Sequence, residues 1–153
     1  MSRHKSGFFR RHSLSLVTTA ILLTWTALYI VSDPQTHLGS FFGNAIADWS
    51  GVLVTILATK HMYEKGSAES RKPSHEPVNR ILCAFTDHSL TLFLAITGAA
   101  WIILFKKMDA NSKWGQVVGN IVSEWTQIIG LVLLTKKFLE RGSKESTESK
   151  ESN

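Results

Sequence analysis

The chain repeats itself at a fixed offset of 76 residues, without a gap. His12-Ser13-Leu14 recurs as His88-Ser89-Leu90, Trp25 as Trp101, Asp33 as Asp109 and Gly43-Asn44 as Gly119-Asn120. Asp48-Trp49-Ser50 recurs as Glu124-Trp125-Thr126, Thr59-Lys60 as Thr135-Lys136, and Gly66-Ser67-x-Glu69-Ser70 as Gly142-Ser143-x-Glu145-Ser146. Over 12–70 against 88–146, 19 of 59 aligned positions are identical. A repeat of this length is one supersecondary unit used twice. It divides a single 153-residue domain into repeat 1 (8–70) and repeat 2 (79–146).

Each unit is strongly apolar. The near-zero mean hydropathy of +0.03 averages two unlike populations. Stretches near 13–32, 40–59, 89–105 and 117–135 contain no Lys or Arg, and their only acidic residues are Asp48 and Glu124. Each stretch approaches the ~20 residues a helix needs to cross a ~30 Å hydrocarbon layer. A soluble bundle of four helices would show charged faces that these stretches lack. The sequence therefore predicts an all-α integral membrane protein. Its four transmembrane helices form two tandem hairpins. Both units enter the bilayer the same way, so the expected symmetry is a parallel pseudo-two-fold along the membrane normal. Asp48 and Glu124 then sit at equal depth.

Arg10-Arg11 before an apolar run resembles the start of a secretory leader. No small-x-small site follows it, and the run is the repeat partner of 89–105, so it reads as a retained first span. Lys and Arg number four in 1–12, five in 60–80 and five in 136–153, against none in 33–43 and three in 106–115. That bias places both termini and the central joint in the cytoplasm. Basic residues beside spans orient them and meet anionic lipid, so the net charge of +5 needs no nucleic acid to explain it. Cys83 stands alone, which rules out an intrachain disulfide.

Between the spans, Asp33-Pro34 ends the first, and 66–80 reads as a solvated loop. Residues 79–87 read as a short interfacial helix, with Thr86 or Asp87 capping span 3. The tail (147–153) is polar, low in complexity and disordered by composition. On span 1, His12, Ser15, Thr19 and Thr26 share a side. On span 3, His88, Thr91, Ala95 and Ala99 share the matching side, where small residues favour close helix approach.

Turning 100° per residue places Asn44, Asp48, Gly51, Thr55 and Thr59 in one sector, matched by Asn120, Glu124, Gln127, Leu131 and Thr135. A charged carboxylate at the bilayer centre costs at least about 2.5–3.5 kcal/mol against lipid. These stripes therefore face the bundle interior, a water-filled cavity or another subunit. Three readings are open for the acids. They line a path for protons or cations, with Asn44, Asn120, Thr55 and Gln127 beside them. They glue helices together in a non-transporting membrane protein that assembles with itself or a partner through the polar faces. Or they help to bind a metal or cofactor. His12, His61 and His88 lie near the cytoplasmic boundary and are weak candidates for metal ligands, since none has a metal-site spacing. The tryptophans read as packing and interface anchors. No nucleophile elbow, phosphate loop, dinucleotide fingerprint or zincin helix is present, so no enzyme is indicated and no cofactor is specified.

Phe8-Phe9-Arg10, His12-Ser13-Leu14-Ser15-Leu16, Asn44-x-x-x-Asp48 and Lys65-Gly66-Ser67-Ala68-Glu69-Ser70 carry a resemblance. So do their counterparts His88-Ser89-Leu90-Thr91-Leu92, Asn120-x-x-x-Glu124-Trp125 and Arg141-Gly142-Ser143-x-Glu145-Ser146. With these segments the chain resembles a family of small bacterial inner-membrane proteins classed as a domain of unknown function. It departs from that family in having His at each span start, Asp48 in place of Glu, and short outer turns. The resemblance implies four spans in a bacterial membrane and no particular activity.

Overall fold

The computed structural model describes residues 8–68 and 80–138. The described residues form α1 (Phe8–Arg11), α2 (Ser13–Val31), α3 (His37–His61), α4 (Arg80–Asp87), α5 (Ser89–Lys107) and α6 (Lys113–Leu134). Helices α2, α3, α5 and α6 are each long and apolar enough to cross a membrane. Large apolar side chains such as Leu23, Ile30, Leu57, Ile96, Ile103 and Leu134 stand exposed along them, as lipid contact requires. The disordered tail expected at 147–153 lies outside the described residues.

Local chemistry sets the two hairpin turns. The Asp33 carboxylate accepts the Gln35 amide (2.9 Å), while the Thr36 hydroxyl donates to the Asp33 carbonyl (2.7 Å) and accepts the Gly39 amide (3.1 Å). Asp109, Asn111, Ser112 and Gly115 repeat this arrangement at 2.9, 2.6 and 3.0 Å. Thr36 and Ser112 are thus N-caps. They start α3 at 37 and α6 at 113, earlier than the hydropathy of 40–59 and 117–135 alone suggests. A Cβ on Gly39 or Gly115 would run into the carbonyl of Asp33 or Asp109, so the turn closes only over glycine.

Helix α2 packs on α3, α3 on α6, and α5 on α6, which makes α3 and α6 the central pair. These two run in the same direction. Asn44 meets Asn120 part-way along, and Thr135 at the end of α6 meets Ser67 just beyond α3. Tyr29, Ile46, Ala47, Val117, Ile121 and Trp125 form one core; Ala58, Leu90, Leu94 and Val132 form a second toward the C-terminal ends of α3 and α6. A lysine at a helix start opposes the helix dipole. Lys113 instead reaches across to the C-terminal end of α2, donating to the carbonyls of Ile30 (3.0 Å) and Ser32 (2.6 Å).

Two expectations change. The side of α5 that packs is Leu90, Leu94 and Gly98, not Thr91, Ala95 and Ala99; Ala95 and Ala99 are exposed. Trp125 is the reason. Its ring would stand 3.3 Å from a Cβ on Gly98, a tight contact, its indole N–H donates to the Thr97 hydroxyl (2.9 Å), and it meets Trp101 edge-on. Nor do Thr86 or Asp87 cap α5. The N-cap residue is His88, and its side chain makes no capping bond. The free amides at that end go to the segment after α3: Leu90 to the Tyr63 carbonyl (3.1 Å) and Thr91 to Glu64 Oε2 (3.4 Å). Part of the loop expected to be solvated is therefore packed, with Ser67 buried.

Replacing Gly115 by Ala should cost about 1–3 kcal/mol of stability through overpacking. Gly130→Ala, with open space around it, should be neutral or gain up to about 1 kcal/mol. Denaturation of both variants in detergent micelles measures the contrast.

Candidate functional site along the α3/α6 seam

The parallel run of α3 beside α6 brings both polar stripes to one seam. Asn120 Nδ2 donates to Asn44 Oδ1, joining residues 76 positions apart. One turn further along each helix stand Asp48 and Glu124, at the same level and within electrostatic reach of each other. Gly51 makes room for Glu124, whose carboxylate lies where a Cβ on that glycine would be. Glu124 is half-buried, whereas Asp48 and Asn44 are exposed on the surface of the single chain.

The asparagines beside the acids bond to each other. No hydrogen bond or ion pair joins either carboxylate to another described residue. Thr55 is half-buried and, with Thr59, Leu90, Leu94, Leu131 and Val132, lines a cavity of ≈ 40 Å³ between α3, α5 and α6. Gln127 is exposed. Glu124 and Thr55 are thus half-buried, whereas Asp48 and Gln127 are exposed on the single chain. Their helix faces point away from the contacts that α2 and α5 make.

The three histidines do not come together. His88 Nδ1 lies 2.7 Å from Glu64 Oε1, His12 Nδ1 lies 3.2 Å from Lys60 Nζ, and His61 is exposed at the end of α3. Among the described residues no three His, Cys, Asp or Glu side chains gather as a metal site would require. Cys83 is a half-buried free thiol.

Glu64 is the polar residue that sequence reasoning missed. Its side chain is 1% exposed, and it holds Lys136 Nζ at 2.8 Å as well as His88. A charged residue just past a span reads as solvated. The available signal was recurrence, since Lys60 and Glu64 reappear as Lys136 and Glu140 at the repeat offset. Burial pushes the Glu64 carboxyl up, but hydrogen bonds with Lys136, Thr91 and His88 and the charge of Lys136 prevail and hold it below the ordinary glutamate value of 4.5. A carboxyl depressed on folding stabilises above its unfolded value and loses that contribution as pH falls through its folded value. The unfolding free energy should therefore drop as pH descends below 4.5, and Glu64→Gln should flatten that limb of the profile. Urea titrations of both proteins at stepped pH compare the slopes.

The Asn44–Asn120 bond should show a coupling of about 0.6 kcal/mol, and not above about 1.7, in a double-mutant cycle to alanine. A coupling indistinguishable from zero would mean that the bond contributes nothing to holding the hairpins together.

Comparison of the chain with protein-family models, with curated proteins and with solved structures finds no match.

Proposed function

We propose that this chain is a small bacterial inner-membrane protein, of the family it resembles, that conducts protons or cations along the α3/α6 seam. Its termini and central joint face the cytoplasm, on the Lys and Arg bias of the loops. Its two hairpins are tandem copies related by a pseudo-two-fold along the membrane normal. The bond between Asn44 and Asn120 supports that relation, because it joins repeat equivalents.

One observation carries the functional reading. Two ionisable groups stand side by side at one level of apolar helices, and neither is neutralised by a described residue. A carboxylate kept without an ion-pair partner inside a span is expensive, and proteins keep such groups for proton or ion movement. The exposure of Asp48 and Asn44 favours a second reading, in which these polar groups are covered by another copy and the protein serves as an assembly factor without transport.

Reconstituted protein carrying Asp48→Asn and Glu124→Gln separates the two. Conduction predicts that proton or cation flux into proteoliposomes is lost while the oligomeric state is unchanged. Disrupted assembly, with flux absent from both proteins, establishes the structural role instead.

A further inference from the structure

The end of repeat 1 is fastened to repeat 2 through three charged residues. Glu64, three residues past α3, holds His88 Nδ1 at 2.7 Å and Lys136 Nζ at 2.8 Å. The repeat offset turns His88 and Lys136 into His12 and Lys60, and Glu64 into Glu140. His12 and Lys60 already stand together where the start of α2 meets the end of α3, Nδ1 3.2 Å from Nζ. A contact across a two-fold occurs twice, with the roles of the two copies exchanged. The counterpart of the Glu64 contact is an acid from the end of repeat 2 beside His12 and Lys60.

The chain leaves α6 as it leaves α3. The Phe138 amide donates to the Leu134 carbonyl (2.9 Å), as the equivalent Met62 amide donates to the Ala58 carbonyl (2.7 Å). The residues that follow also correspond, Glu64-Lys65-Gly66-Ser67 becoming Glu140-Arg141-Gly142-Ser143. Gly66 turns the chain at φ +84°, open to glycine and strained for other residues. Gly142 brings the same freedom. The receiving surface on repeat 1 is bare. Leu90, whose amide donates to the Tyr63 carbonyl (3.1 Å), is 1% exposed, whereas its equivalent Leu14 is 64% exposed. Phe138 is likewise 68% exposed, while its equivalent Met62 packs against the core that contains Leu90.

We propose that residues 139–143 dock on the start of α2 and the end of α3, with Glu140 between His12 and Lys60 and Ser143 at Thr59. Charge selects this segment, because an acid meets two basic side chains there. Reach selects it too, since Glu140 stands five residues past Thr135 as Glu64 stands five past Thr59. Docking covers Leu14 with the residues around Phe138, and each hairpin then fastens the end of the other. The proposal rests on the two-fold relation stated above and not on conduction.

Disulfide formation in lipid nanodiscs tests it, in a Cys83→Ser background. Ser67→Cys/Thr135→Cys is the reference, because those hydroxyls lie 3.0 Å apart. Thr59→Cys/Ser143→Cys should close an intrachain bond within about ten-fold of the reference rate, and about ten-fold or more faster than Thr59→Cys/Ser146→Cys. Equal rates at 143 and 146 mean an undocked segment and overturn the proposal. A bond formed between two chains overturns it as well, by making a second copy the occupant. Asn44→Cys/Asn120→Cys, treated with a short bifunctional thiosulfonate, reports on the two-fold by itself. Bridging there without preference for 143 discards the docking alone; neither bridging nor preference discards the two-fold too. Should the cysteine pairs fail to fold, hydrogen exchange of the Leu14 amide decides. It should quicken about ten-fold in Glu140→Gln, and an unchanged rate rejects the docking.

Discussion

The direct contact of α3 with α6 is what makes two hairpins one body. Helices α2 and α5 each pack mainly on one member of that central pair. Without the central contact each hairpin would be a separate two-helix unit. Close approach requires small side chains, because lipid tails give helices no hydrophobic reason to associate. Ala47, Gly51 and Ala58 on α3 supply them and are buried. Gly51 has the further task of admitting the carboxylate of Glu124. Packing and polarity are therefore coupled at one position, and any side chain placed there would displace the acid before it disturbed the helices.

Hydrocarbon offers no partner to a polar group, so the spans must satisfy their own. Most hydroxyls do so locally. Thr18, Thr19, Thr24 and Thr26 on α2, Ser50 and Thr59 on α3, Thr97 on α5 and Thr126 on α6 each donate to a carbonyl four residues earlier in the same helix. This back-bonding removes a large part of the apparent polarity of the spans. The asparagine pair, the two acids and Gln127 lie on α3 and α6, while on α2 and α5 the Trp25 indole N–H and the Thr91 hydroxyl are buried without a hydrogen-bond partner among the described residues.

Much of this was legible in the residues. Length and hydropathy located four spans with ends within four residues, and α4 was visible as a short helix over 79–87. Helix starts were missed because hydropathy is blind to caps. The pattern Asp-x-x-Thr/Ser-x-x-Gly occurs in both outer turns and encodes the cap, the turn and the close approach of the glycine. The packed side of α5 was misjudged for a different reason. Ala95 and Ala99 promised an interface by size, but the partner's shape decides, and Trp125 needs the notch at Gly98 more than α6 needs a flat face. Glu64 could be flagged only by its recurrence at the repeat offset, because its partners lie 24 and 72 residues away and no local rule connects them.

Neighbouring helices that point oppositely cancel each other's electrostatic ends; α3 and α6 cannot. Each carries roughly half a negative elementary charge at its C-terminus, and the parallel arrangement sets these like-signed ends side by side. Lys60 and His61 occupy the last turn of α3, and Lys136 and Lys137 follow the last turn of α6. These cations do for the repeated pair what topology does for a simple hairpin. The lysine collar is thus tied to the direction of the chain, and stripping it would leave two parallel dipoles in mutual repulsion at the edge of the bilayer.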